Sequence, residues 1–221
     1  SKTTFRQFQP KASLTYLMDG LGSVYASYGR GFKSGGFNPI GSREALIPAL
    51  PPRIPASTVY VQDGYSKEVS TSYEIGAKLS LLDRSLSLNL AAFQTDIKGA
   101  QQFAFFPSVG VQTTVSIDKI RARGFDIDVD YSTPFGLRLF GGYGYVDSTV
   151  KAFAGNPAAV GNRGPGAFKS TLMLGATQSF DLGGDLQLVP RIQFNHYGSI
   201  VWDVDNTPGT LRKPLSLLNG R

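Results

Sequence analysis

The sequence predicts an all-β chain made of antiparallel, up-and-down strands of a transmembrane β-barrel. Three observations predict it: a long hairpin with one apolar face, a regular alternation of short turns with long connections, and polar residues on the second face of the strands. No apolar run reaches the roughly 18 residues that a transmembrane helix needs. Strand alternation averages out in a hydropathy window, so a mean hydropathy of −0.09 is compatible with a barrel.

The hairpin from Ser72 to Phe93 has the clearest pattern. On its first arm the odd-numbered residues from Tyr73 to Leu81 are apolar, and the even-numbered ones are small or polar. After a turn at 82–85, the even-numbered residues from Leu86 to Ala92 continue the apolar face. Each arm spans about 11 to 14 residues, and a tilted strand crosses a hydrocarbon layer in roughly 9 to 11. A soluble sandwich would also fit this hairpin, with a second sheet covering the leucines. The choice between a sandwich and a membrane barrel therefore depends on the other parts of the chain.

Alternation also predicts strands in the other parts of the chain. They lie over 10–17, 23–33, 113–131, 137–150, 168–180 and 186–195, and a ninth strand begins near Pro214. Together with the hairpin this gives about eight complete strands and a stub. The orientation of 23–33 stays open, because Tyr25 and Tyr28 fall on opposite parities.

The connections alternate in length. Short turns are predicted near 19, 83, 135 and 183, and longer loops over 34–66, 101–110, 151–166 and around Trp202. Because every short turn then lies at one end of the sheet, the pattern is typical of an outer-membrane barrel and has no reason to occur in a sandwich. The proline-rich segment 34–66 is interpreted as a functional loop, with disorder as the alternative.

Composition excludes several classes of function. The chain has no cysteine, which rules out thiolate catalysis, thiolate metal sites and disulfides. Its net charge of +6 is not concentrated in a Lys/Arg block, and no nucleic-acid motif accompanies it. No P-loop, G-x-S-x-G motif or Ser-His-Asp grouping is present, so we expect neither an enzyme nor a cofactor. The only histidine, His196, is interpreted as a rim residue rather than a ligand for metal or haem.

Charged residues fall on both predicted faces. One set is expected to face a wet lumen, where charge is cheap: Glu74, Lys78, Asp126, Asp128, Asp130 and Arg138. The three aspartates lie about 7 Å apart along a strand, too far to share one ion, so no metal site is predicted. Arg121 and Arg123 share the parity of Phe125, so we expect them to face outward and contact lipopolysaccharide phosphates, unless a bulge turns them to the lumen.

Three stretches resemble, in order and spacing, the C-terminal barrel region of TonB-dependent outer-membrane receptors. They are SVYASYGRGFKSGGFNP, EVSTSYEIGAKLSLLDRSLSLNLAAFQTDIKGAQ and IRARGFDIDVDYS. In that family a strand ends in a GFKxGGFN-like run, and an S-Y-E-x-G-x-K strand, an A-x-F-x-x-D-I strand and a G-F/V-D/E strand follow. The resemblance covers nearly the whole chain.

The resemblance implies a barrel of about 22 strands in the outer membrane of a Gram-negative bacterium, closed by an N-terminal plug domain. It also implies uptake of a scarce nutrient, most often a ferric siderophore, driven by the TonB–ExbB–ExbD complex. The plug, the TonB box and the terminal aromatic strand are missing from this sequence, so residues 1–221 are expected to form a partial barrel domain that does not transport alone. The aspartate row would then pair with the plug or with neighbouring basic groups.

Exposed aromatic residues are the predicted ligand contacts on the extracellular side, because they lose little side-chain entropy on ordering. They are Tyr60, Tyr65, Phe103, Phe105, Phe106 and Trp202. Packing of one loop on another is the alternative account of these residues. Two other functions stay open: a passive porin-like channel, which would lack a plug, and a soluble β-rich binding module, which would need its apolar faces covered.

Overall fold

The structure is a computed structural model that describes residues 3–39, 41–47, 61–106 and 111–221. Its strands, in chain order, are β1 (Lys11–Met18), β2 (Gly22–Lys33), β3 (Gly36–Phe37), β4 (Gly64–Tyr65), β5 (Glu68–Leu81), β6 (Leu86–Phe106), β7 (Val111–Ser132), β8 (Leu137–Ala152), β9 (Ser170–Gln178), β10 (Phe180–Asp181), β11 (Gln187–Leu188), β12 (Arg191–Tyr197), β13 (Ile200–Val201), β14 (Leu211–Arg212) and β15 (Leu215–Gly220). One short helix, α1 (Ser42–Leu46), and two single 3-10 turns, Pro157–Ala159 and Pro208–Thr210, complete the described elements.

Nine of these strands form one antiparallel sheet in the order β1-β2-β5-β6-β7-β8-β9-β12-β15. Each long strand pairs with the next long strand along the chain, which is the up-and-down arrangement that the sequence predicts. The remaining strands pair among themselves as β3-β4, β10-β11 and β13-β14. The sheet is not closed, since β1 and β15 each have one neighbour. The all-β prediction of eight complete strands and a ninth partial one is confirmed.

The register gives the sheet an apolar face and a polar face. On the apolar face Ala77 lies opposite Leu90, Leu90 opposite Ile127, and Ile127 opposite Tyr143. Pairing also resolves β2, whose orientation the sequence left open. Tyr28 lies on the apolar face, with its ring centroid 5.3 Å from that of Tyr73, and Tyr25 lies on the polar face.

The two ends of the sheet differ in their connections. The turn between β5 and β6 contains three consecutive residues in the left-handed region, Leu82, Asp83 and Arg84, with φ of 51°, 52° and 70°. The connection between β9 and β12 lies at this same end, but it is longer than the predicted short turn because residues 179–190 include the β10-β11 hairpin. We call this end the short-turn end and the opposite one the long-loop end.

One predicted loop is wrong. Residues 101–110 were expected to form a loop, but β6 continues to Phe106 and β7 starts at Val111, so Phe103, Phe105 and Phe106 belong to a strand. The reason is long-range pairing: the backbone from Ala100 to Phe106 is held by partners from Val111 to Ile117. At 21 residues, β6 is about 70 Å long, well beyond the thickness of a hydrocarbon layer.

A small apolar core lies at the long-loop end, where the loops fold onto the strand extensions. Its buried members come from β6, β7, β8 and the two loops that follow β8 and β12: Ala100, Ile117, Ile120, Val150, Phe153, Ala159 and Val204. Among the described residues, no helix has the length and apolar character to cross a membrane.

Candidate functional site

The polar face carries all six of the charged residues that were expected to face a lumen. Gly76 pairs with Ala91 and Ala91 with Asp126, which puts the even-numbered residues of β5 and β7 on one side of the sheet. By the same alternation this side holds Glu74, Lys78, Asp126, Asp128, Asp130 and Arg138. The structure therefore gathers these residues on one surface, opposite the apolar face.

The aspartate row is not uniform. The Nε atom of Arg138 donates to Asp130 Oδ1 at 2.9 Å, so the Asp130 carboxylate has a cationic partner on the neighbouring strand β8. The Tyr25 hydroxyl donates to Glu74 Oε1 at 2.8 Å. Across the described ranges no salt bridge involves Glu74, Asp126 or Asp128.

Glycines on β8 make room for the two unpaired aspartates. A Cβ atom added to Gly142 would lie 2.8 Å from Asp128 Oδ1, and one added to Gly144 would lie 2.7 Å from Asp126 Oδ1. Both carboxylates consequently lie low over the neighbouring strand instead of projecting from the sheet. The Phe140 ring lies over Gly175 of β9 in the same way.

Toward the short-turn end, the polar face contains a recess of about 320 Å³. Arg191 lies over the Phe140 ring, with its Cζ atom 4.5 Å from the ring centroid, and Asp128, Asp130 and Arg138 line the same recess. Neither Arg191 nor Phe140 was among the site residues predicted from the sequence. The signal was available for Arg191, which alternates with the apolar Ile192 and Phe194 on β12.

At the long-loop end, the loops at 153–169 and 198–214 are joined by hydrogen bonds into one unit, which we call the loop pair. The Asn206 side chain accepts from the Arg163 N–H at 3.0 Å and donates to the Arg163 carbonyl at 2.9 Å. The Arg163 guanidinium donates to the carbonyls of Ser199 and Ala167, both at 2.6 Å. Burial lowers the pKa of the Arg163 guanidinium from its ordinary value, yet an arginine stays charged at neutral pH.

Trp202 is the predicted aromatic that the loop pair presents most clearly. It is 54% exposed, while its neighbours Val201 and Val204 are only 4% and 3% exposed. The backbone beside it is also fixed, because Gly166 N–H donates to the Val201 carbonyl at 2.9 Å. The chain on both sides of Trp202 is therefore anchored, and its ring lies largely exposed on the loop pair.

The other predicted aromatics are spread out. Phe103 is exposed on the extension of β6, and Tyr65 lies in β4, where its ring covers Gly36. Phe105 and Phe106 lie at the end of β6. Tyr60 falls outside the described residues. The structure does not bring this set together at one point.

Arg121 and Arg123 lie on the apolar face. The register between β7 and β8 is unbroken from Ser132 to Ile120, and its irregularity falls between Lys119 and Ile120, so both arginines keep the parity of Phe125. His196 is on the apolar face as well, with its Nδ1 atom 2.9 Å from Ser216 Oγ. Within the described parts of the chain, no group of histidine and acidic residues could hold a metal ion.

Comparison with known proteins gives a consistent family. A model of the family described as "TonB dependent receptor-like, beta-barrel" matches residues 1–217. The metal-pseudopaline receptor CntO of Pseudomonas aeruginosa is 37% identical over 87 residues, which are 39% of this chain and 12% of that protein.

Solved structures show the same fold. The ferric yersiniabactin uptake receptor FyuA from Yersinia pestis superposes with a TM-score of 0.68 at 19% identity, over 95% of this chain and 28% of that one. BauA, the ferric preacinetobactin receptor from Acinetobacter baumannii, gives a TM-score of 0.66 at 21% identity, over 96% and 28%. The chain thus spans between a quarter and a third of the length of these receptors.

Proposed function

Because the chain belongs to the TonB-dependent receptor β-barrel family, we propose that it forms part of the barrel wall of an outer-membrane receptor that imports a metal chelate, most simply a ferric siderophore. The observation that carries the proposal is the two-faced sheet with the folded loop pair at one end. An apolar face suits lipid, and a polar face suits the interior of a transport barrel. Related receptors for ferric siderophores and for metal-pseudopaline support this class of substrate.

In this proposal residues 1–221 are a partial barrel domain, completed in the whole receptor by further strands and a plug domain. The whole receptor would draw energy from the TonB–ExbB–ExbD complex. The carboxylates that have no salt bridge among the described residues, those of Glu74, Asp126 and Asp128, would face that plug together with Lys78, while Asp130 and Arg138 satisfy each other.

Substrate contact is assigned first to Trp202, because its ring is exposed while the loop pair anchors the backbone beside it. A rigid aromatic binds with little entropy loss, and buried aromatic anchors dominate many binding sites. Phe103 and Tyr65 are secondary contacts in this proposal, and Tyr60, Phe105 and Phe106 stay candidates on their sequence positions alone.

The test uses the full-length receptor in cells starved of iron, with radioactive ferric chelates of catecholate, hydroxamate and aminocarboxylate type as probes. For any chelate taken up, we expect Trp202→Ala to weaken binding by roughly 10-fold or more, as for an aromatic anchor, and Trp202→Phe to restore most of it. Phe135→Ala is the matched control, since Phe135 is an aromatic at the short-turn end that is at least as exposed as Trp202. Unchanged binding by Trp202→Ala would remove Trp202 from the site.

The alternative function is a passive porin-like channel, and the same cells discriminate the two. Receptor uptake must stop when the proton gradient is collapsed or when TonB is deleted. Uptake that continues at the same rate under both conditions would establish the passive channel and reject the energised receptor.

A further inference from the structure

The apolar face carries a connected cation network on β6 and β7, formed by Lys119, Arg121 and Arg123 with Gln94 and Asp96. Arg121 binds Asp96 through two nitrogens, with Nε–Oδ1 at 2.9 Å and Nη2–Oδ2 at 3.2 Å. Lys119 Nζ lies 3.5 Å from the same carboxylate. Gln94 donates to Asp96 Oδ2 at 3.0 Å and accepts from Arg123 Nε at 2.9 Å.

The network lies at a defined height on the sheet. Along β7 from the short-turn end, the residues of this face are Tyr131, Val129, Ile127 and Phe125, followed by Arg123, Arg121 and Lys119. Phe125 forms an aromatic cluster with Tyr143 and Tyr145, and its ring centroid lies 5.8 Å from each of theirs. Tyrosine and other aromatic rings concentrate at the level where hydrocarbon meets headgroups. Side chains one or two pleats beyond that cluster are therefore at the level of the headgroups.

The charges of the network do not cancel. Lys119 and Arg121 contact Asp96, while Arg123 is bonded to Gln94. On the same face Asp147 lies across the strand pair from Arg123, and Lys98 lies across from Lys119, so four cations share this patch with two carboxylates. Asp96 is only 18% exposed, whereas Lys119 is 36% exposed and Arg123 is exposed. Asp96 occupies Nε and Nη2 of Arg121, and Gln94 occupies Nε of Arg123, which leaves Nη1 of Arg121 and both terminal nitrogens of Arg123 outside these contacts. Held in this way, the cations keep free donors for an external anion at little entropy cost.

The geometry points to a binding site for the phosphate groups of lipopolysaccharide, with Lys119, Arg121 and Arg123 as the cations that contact them. Guanidinium groups bind phosphate oxygens in pairs, and each basic side chain near an anionic headgroup layer adds about 1 kcal/mol of attraction. The site is at the long-loop end, which faces the cell exterior in barrels of this type. The anionic lipid of that outer leaflet is lipopolysaccharide. The inference rests on the proposed placement of the barrel in the outer membrane but not on what the receptor transports.

The test compares the full-length receptor, purified in a zwitterionic detergent, with the double variant Lys119→Gln/Arg123→Gln. The matched control is Lys11→Gln/Lys33→Gln, which removes two exposed lysines from the polar face of β1 and β2. Binding of fluorescent lipopolysaccharide is titrated, and each variant is first checked for an unchanged shift on heating in electrophoresis. We expect roughly 30-fold weaker binding for the network variant and unchanged binding for the control.

Three outcomes would overturn the inference. The network variant could bind as tightly as the parent receptor, or the control could lose as much affinity as the network variant. Phosphatidylglycerol vesicles or dephosphorylated lipopolysaccharide could compete as well as intact lipopolysaccharide, which would remove the assignment to its phosphates. The readout is lipid binding, so a receptor that proves to import no metal chelate leaves this result interpretable.

Discussion

At the scale of single residues, Asn38 shows how a side chain can stand in for a strand. Its amide donates to the Thr114 carbonyl and its carbonyl accepts from the Thr114 N–H, both at 2.8 Å, as a β-ladder partner would. The amide also donates to the Gln62 carbonyl at 2.7 Å. Asn38 is buried, and its three hydrogen bonds tie both ends of the long segment after β2 to the start of β7.

We expect Asn38→Ala to destabilise this corner by about 1 to 2 kcal/mol, because it leaves part-buried backbone groups of Thr114 and Gln62 without these partners. Hydrogen exchange followed by mass spectrometry on the full-length receptor should show faster exchange around residues 34–39, 61–67 and 112–116. Asn38→Asp keeps the acceptor for the Thr114 N–H but sets a buried carboxylate oxygen against the Thr114 and Gln62 carbonyls, so its effect should be at least as large. Equal protection in all three proteins would show that Asn38 does not hold the segment.

At the scale of elements, β8 is a strand whose glycines determine the shape of its neighbour's surface. We expect Gly142→Val to lower the stability of the refolded receptor by about 1 to 3 kcal/mol, since its Cβ would meet the Asp128 carboxylate and push it away from the sheet. The measurement is the denaturant midpoint in detergent micelles. Gly29→Val is the matched control: it is a strand glycine on the same face with open space around it, and we expect no loss. A loss of similar size at Gly29 would mean that strand glycines matter here for reasons other than these contacts.

At the scale of the whole molecule, the sheet has two free edges. The outer sides of β1 and β15 offer unpaired N–H and C=O groups, which no membrane-spanning barrel leaves open. We expect residues 1–221 expressed alone to associate through these edges in detergent and to show no shift on heating in electrophoresis, unlike the full-length receptor. A monodisperse, heat-shifting monomer of 23.8 kDa would contradict this expectation.

The sequence predicts this architecture well wherever one side of a strand is wet and the other is apolar. Alternation identifies both arms of the 72–93 hairpin, and it places the side chains of Phe125 and Asp126 on opposite faces of the sheet. The prediction fails for 101–106, where the preceding Gly99 takes a φ of 63° and the strand is held by long-range pairing with β7. The tie from Asn38 to Thr114 is equally hidden, because its partner lies 76 residues away.

The candidate site was predictable in composition but not in assembly. Parity placed the six charged residues on one face, yet it could not show that Arg138 satisfies Asp130 and leaves Asp126 without such a partner. Nor could it distinguish Trp202 from the other exposed aromatics. That distinction depends on Val201 and Val204 being buried by a loop that comes roughly 40 residues earlier.

The hydrogen bonds that join the loop pair also affect how such receptors can be recombined. Arg163 on one loop and Asn206 on the other each supply bonds that the partner loop needs. A chimera that transplants only one of these loops from a related receptor would inherit half of each contact and leave buried polar groups without partners. The two loops are therefore a single unit of exchange, and changes of substrate range made by grafting, or fixed during divergence, should involve both together.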